Sequence, residues 1–108
     1  MKILNLTPHA VTFLDASNNV ICEIEPSGVI ARVGAKTIAT GEIINDIPVT
    51  TTQFSEVEDL PDPVEGVVYI VSSLVAQRRP FRKDIFIPNE VVRNSAGVII
   101  GCRSLGQI

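Results

Sequence analysis

The chain has no tryptophan, one tyrosine (Tyr69), one histidine (His9) and two cysteines. With so few aromatic residues, its core must rest on Val, Ile and Leu with four Phe. Val and Ile are stiff at the first side-chain torsion and favour strands over helices. One histidine and no closely spaced cysteine pair exclude a structural zinc site, which needs four such ligands. No glycine-rich phosphate loop is present, because Gly28, Gly34, Gly41, Gly66, Gly97, Gly101 and Gly106 are scattered. Long apolar runs are missing too. The run from Gly66 to Val71 is far too short to cross a bilayer. The stretch Met1–Leu6 meets Asn, Thr, Pro and His too early for the apolar region of a signal peptide. With no export signal, Cys22 and Cys102 are expected to be buried, reduced thiols in a cytosolic protein.

What remains is a chain of 108 residues, expected to form one domain over residues 1–108. The net charge of −3 hides an asymmetry. Residues 1–66 carry three bases against ten acids, while residues 67–108 carry six bases against Asp84 and Glu90. An acidic chain argues against general nucleic-acid binding, which needs a broad basic face. A local basic cluster on such a chain suits a small anionic ligand. The competing reading is that the two halves pair as ordinary internal and surface charges.

The pattern of apolar, turn and breaker residues predicts a mainly β (α+β) fold: a small antiparallel sheet or partly closed barrel with one short helix. Lys2–Leu6 reads as a strand broken by Thr7-Pro8, and Ala10–Leu14 resumes it. The turn Asp15–Asn19 leads into Val20–Glu25 as a hairpin. Val29–Val33 follows, and residues 37–44 read as two short strands about Gly41. Ile47–Phe54 contains Pro48 and reads as an edge strand. The acidic stretch Ser55–Glu65, with Pro61 and Pro63, reads as a loop. Gly66–Val71 is the best candidate for the centre of the sheet. Residues 72–79 read as a helix capped by Ser72 or Ser73 and ended by Pro80. Ile85–Ile87 is a short strand, and Val91–Asn94 with Val98–Cys102 form a last hairpin.

Four clusters carry the polar chemistry. Asn5, Thr7 and His9 share one face of an extended strand by its period of two, so they could read the hydrogen-bonding edges of a ligand. His9 could also act as a general base. Equally, Asn and Thr there could satisfy backbone groups around a strand broken by proline. Ser72 and Ser73 stand where a strand runs into a helix, which aims free N–H groups at any anion nearby, although serine there is first of all a cap. Arg78, Arg79 and Arg82 surround Phe81, pairing phosphate donors with a stacking ring. Asp84 could instead neutralise one of these arginines. Arg93 and Arg103 sit on the two arms of the last hairpin and need an anion or a carboxylate between them.

The segments Asn5-Leu6-Thr7-Pro8-His9, Tyr69 to Ala76, Asp84-Ile85-Phe86-Ile87-Pro88 and Gly101-Cys102-Arg103-Ser104 resemble a family of small bacteriophage and prophage proteins that begin with an Asn-Leu-Thr-Pro-His signature. The resemblance spans nearly the whole chain and includes an arginine near position 82 and the Asp84 step. It implies a viral origin and a site of action in the host cytoplasm, and it carries no catalytic assignment. Given that setting, the expected function is capture of a nucleotide second messenger as an anti-defence sponge, working as a homo-oligomer without a cofactor. Asn5, Thr7, His9, Ser72, Ser73, Arg78, Arg79, Phe81, Arg82 and Arg103 are the expected ligand contacts. Two other expectations stand beside it: a small nucleotide hydrolase or lyase using His9, and a structural or host-protein interaction protein of the phage.

Overall fold

A computed structural model describes all residues from Met1 to Ile108. The elements in chain order are β1 (Lys2–Asn5), β2 (Val11–Leu14), β3 (Val20–Ile24), β4 (Arg32–Ile44), β5 (Ile47–Glu58), β6 (Val67–Ile70), α1 (Ser73–Arg78), β7 (Ile85–Arg93) and β8 (Ile99–Gly106). The fold is mainly β with one short helix, as the sequence predicts. The main sheet is mixed rather than antiparallel. Its strand order is β1-β6-β7-β8-β2-β3, and the pairs β1/β6, β6/β7 and β2/β8 run parallel. The sheet is not a closed barrel. A single bridge between Asn5 and Pro26 links its two ends.

Val67–Ile70 pairs on both sides, with β1 and with β7, which explains its unbroken apolar character. Ile70 and Val71 are fully buried. Leu6, Ala31, Tyr69, Val71, Val75, Ala76 and Ile85 form one cluster. Phe13, Ile70 and Cys102 form a second, on the side of β2 and β8. The helix has its expected cap: the Ser72 hydroxyl accepts a hydrogen bond from the Val75 N–H at 3.3 Å. Its inward residues Val75 and Ala76 close over the first cluster.

Three expectations need correction. First, Ile85–Ile87 and Val91–Asn94 belong to one strand, β7, which passes through Pro88. Proline is tolerated because β6 pairs only with Ile85 and Phe86, leaving β7 no partner on that side at position 88. Second, residues 37–44 do not fold back at Gly41, and residues 55–58 are not loop. β4 and β5 form one long two-stranded ribbon, paired from Arg32 with Glu58 to Ile44 with Ile47. Its turn is Asn45-Asp46, both with positive φ (49° and 65°), the backbone of the tight hairpin turn that matches strand twist.

Third, Cys102 is buried but Cys22 is exposed, and both are free. Both sit in register with Phe13 on strands either side of it. Strands two apart are about 9.5 Å away from each other. That exceeds the roughly 7 Å Cα limit for a disulfide. Burial pushes the Cys102 thiol up from its ordinary 9.0 and keeps it protonated.

Gly101 is where β8 passes close to β2. A methyl group there would lie 2.8 Å from the Thr12 carbonyl oxygen and 3.0 Å from Leu14 Cγ. Gly101→Ala is therefore expected to cost about 1–3 kcal/mol by overpacking. The readout is a lower urea midpoint at unchanged slope. A midpoint equal to that of the unmodified chain would mean that the strands separate freely.

Candidate functional site

Asn5 ends β1 as a fully buried polar residue, and all of its hydrogen-bonding capacity is engaged within the chain. Its amide nitrogen donates to the carbonyl oxygens of His9 (2.7 Å) and Ile24 (3.0 Å). Its amide oxygen accepts from the Thr7 N–H (2.9 Å) and the Thr7 hydroxyl (2.6 Å). The Thr7 hydroxyl lies 3.0 Å from the His9 carbonyl oxygen. In place of a ligand-facing row, the Asn5-Thr7-His9 trio forms a self-satisfied bend that links β1 to the end of β3. Pro8 has no N–H to continue the strand, so the chain bends there and the His9 carbonyl oxygen comes within reach of Asn5. The His9 ring is exposed and lines none of the three concavities described below.

Ser72 and Ser73 are likewise engaged locally. Ser72 caps α1, and the Ser73 hydroxyl accepts from the Gln77 amide at 2.9 Å. The helix is only six residues long.

The basic residues do not converge on one point. Arg82 forks onto Asp84, Nε to Oδ1 at 2.7 Å and one terminal nitrogen to Oδ2 at 2.8 Å, and it also donates to the Pro61 carbonyl oxygen at 2.9 Å. Both side chains are largely buried, so this is an internal clamp on the 59–66 loop. Arg103 donates to the Asp15 carbonyl oxygen and to Asn18 Oδ1 (2.7 Å), bracing the β2–β3 turn. Arg93 donates to the Gly97 carbonyl oxygen at 2.9 Å. Arg93 and Arg103 therefore have separate partners, and neither uses Glu90 or the acidic loop.

Two arginines remain less committed. The Arg78 guanidinium lies 4.7 Å from the centre of the Phe54 ring. That cation–π contact leaves its N–H edge without a protein acceptor. Arg79 meets Glu56 at 3.3 Å, but Glu56 is almost fully exposed. Exposed pairs of this kind contribute little and exchange readily. Both arginines line a concavity of about 150 Å³ with Phe54, Ser55, Glu56 and Val57. A second open concavity, about 400 Å³, is lined by Gly34, Ala35, Lys36, Gln53, Phe54 and Ser55. The two share Phe54 and Ser55 near the root of the ribbon: Arg78 and Arg79 line the first, with Arg78 over the Phe54 ring, and Lys36 lines the second beside Gln53. Phe81, two residues beyond Arg79, is 93% exposed.

Lys36, Gln53, Phe54 and Ser55 are the residues that sequence reasoning misses. They reach the site because Ala35 pairs with Phe54 and Lys36 with Gln53. The one signal in the sequence was the Asn45-Asp46 turn. Extrapolating from Ile44 opposite Ile47 would set Lys36 against Ser55, but a bulge between Ala39 and Ile43 shifts the register by two.

Comparison with protein-family models finds no match, and comparisons with curated proteins and with solved structures find none either. No helix is long and apolar enough to cross a membrane.

Proposed function

We propose that this chain is a phage-encoded protein of the host cytoplasm that binds a small anionic, nucleotide-like ligand at the root of the β4–β5 ribbon. It would act as a sponge for a nucleotide second messenger and work as a homo-oligomer. The observation that carries this reading is the pair Arg78 and Arg79 beside Phe54 in one open concavity, adjoining a second that Lys36 and Gln53 line. Arg78 offers free planar donors suited to a phosphate. Arg79 can exchange an exposed carboxylate for the ligand. Gln53 adds a neutral polar group, and Phe81 adds an aromatic face in reach of solvent. The resemblance at Asn5–His9 supports the viral origin. Arg82 and Arg103, expected from the sequence as contacts, belong in this reading to the scaffold.

Calorimetry against mono-, di- and cyclic nucleotides tests the reading. The expected result is heat with at least one of them, and a loss of about 100-fold in affinity for Arg78→Ala/Arg79→Ala, since two charge-assisted contacts are removed. Chromatography should return the ligand intact. No heat and no thermal shift with any nucleotide would sink it. An altered nucleotide would turn the reading towards the hydrolase or lyase.

A further inference from the structure

The protein exposes more surface than a compact chain of its size. Its accessible surface is 7289 Å². A compact monomer of this mass has about 5,900 Å². The radius of gyration is 17.1 Å. A compact chain of this length has about 13 Å. The surplus comes from the ribbon, whose thirteen-residue strand β4 spans about 43 Å at the rise of a strand. Its root is held by Val33 and Val57, which pack on the core, and by the Arg78–Phe54 and Arg79–Glu56 contacts. Beyond that it stands free. A two-stranded ribbon on its own is marginal in water. This one also carries apolar residues at its tip: Ile43 is 67% exposed and Ile47 63%, with Ile44 beside them.

The same chain has an apolar groove on the main sheet, about 300 Å³ in volume, lined by Val11, Pro88, Val91, Ile99 and Ile100. Val91, Ile99 and Ile100 are exposed. The ribbon tip of this chain is exposed, so it does not cover the groove of its own molecule. The tip is acidic, with Glu42 and Asp46, and the chain has no Lys or Arg between Lys36 and Arg78. The groove's rim carries both signs, Arg93 and Glu90 on the strand that carries Val91 and Glu23 bonded to the lining residue Thr12, so apolar contact and not net charge recommends the tip to it.

We infer that the groove receives the ribbon tip of a second copy of this chain. The surface surplus of about 1,400 Å² per chain is more than the roughly 800 Å² that each partner gives to a standard interface. Because the tip and the groove are different surfaces, the contact is heterologous. It closes by reciprocal exchange of arms between two copies, or around a ring. This specifies the interface behind the proposed homo-oligomer and stands whether or not the ribbon root binds a nucleotide.

Light scattering and sedimentation of the full chain test it without any ligand. The unmodified protein is expected to be oligomeric. Ile43→Asp/Ile47→Asp should weaken association about 100-fold while keeping its far-ultraviolet circular dichroism, since both side chains lie on the surface. Val91→Arg/Ile99→Asp in the groove should do the same. In a Cys22→Ser background, mixing an Ile44→Cys chain with an Ile99→Cys chain and oxidising should give a mixed disulfide dimer. A monomer at every concentration, an oligomer that both double variants leave intact, or the absence of the mixed dimer would each overturn the inference. Loss of nucleotide binding alone leaves the measured mass unchanged, so the two proposals fail separately.

Discussion

Asn5→Ala is expected to destabilise the protein by about 3 kcal/mol or more, the largest effect of any single polar substitution in this chain. The change orphans one acceptor, the Ile24 carbonyl oxygen, and one donor, the Thr7 N–H, while the Thr7 hydroxyl is left to serve the His9 carbonyl oxygen alone. Each buried polar group left without a partner costs about 1–3 kcal/mol. Domains of this size have only about 5–15 kcal/mol of stability in all. Denaturant unfolding measures the loss as a fall in midpoint. Asn5→Asp should be at least as damaging, because it keeps the acceptor, loses the two donors and places a charge where nothing is exposed. If Asn5→Ala unfolds within about 1 kcal/mol of the unmodified chain, then water enters the bend and replaces the amide.

The second large effect belongs to Arg82 and Asp84. The hydrogen bonds from Arg82 hold the Asp84 carboxyl below its ordinary 3.8, outweighing the burial that pushes it up. A carboxyl with a lowered folded-state pKa adds stability at pH values above its unfolded pKa, and that contribution is lost as pH falls through the lower folded value. The unmodified protein should therefore lose stability below about pH 4. Asp84→Asn should be less stable at neutral pH and flatter across this acid limb. Arg82→Ala should cost about 2–3 kcal/mol at neutral pH, because Asp84 stays largely buried without its cation and the Pro61 carbonyl loses its donor. Urea unfolding between pH 3 and pH 7 reads both. A variant whose pH profile runs parallel to that of the unmodified protein would remove the clamp from the account.

Local signals carried the elements they govern. Ser72 and Pro80 bracket the helix, Asp15–Asn19 forms its turn with the Asp15 carboxylate accepting from Ser17 and Asn19, and the apolar run at Val67 becomes an interior strand. What the sequence did not disclose depends on distance along the chain. Nothing local says that β1 pairs with β6 or that β2 lies beside β8. The ribbon was obscured because its strand Ile47–Glu58 ends in acids and precedes two prolines, a composition that reads as loop. The site suffered in the same way. The arginines were visible as a basic cluster, but their partners are set by tertiary structure: a ring at position 54 for Arg78, a carbonyl at position 61 for Arg82 and a turn at positions 15–18 for Arg103. The choice between anion site and internal pairing is made residue by residue.

The strand order has a consequence for synthesis. Of the eight strands Lys2–Asn5 is made before the others, yet its sheet partner begins at Val67. The ribbon closes on its own two-residue turn, a fast local event, while β1 must wait for a loop of some sixty residues to form. Until then Leu6 has no core to enter, because Tyr69, Val71, Val75, Ala76 and Ile85 complete its cluster. The amino-terminal segment is therefore expected to be among the last parts of the sheet to lock. Across that interval the nascent chain carries an unpaired strand edge, the kind of surface that chaperones hold.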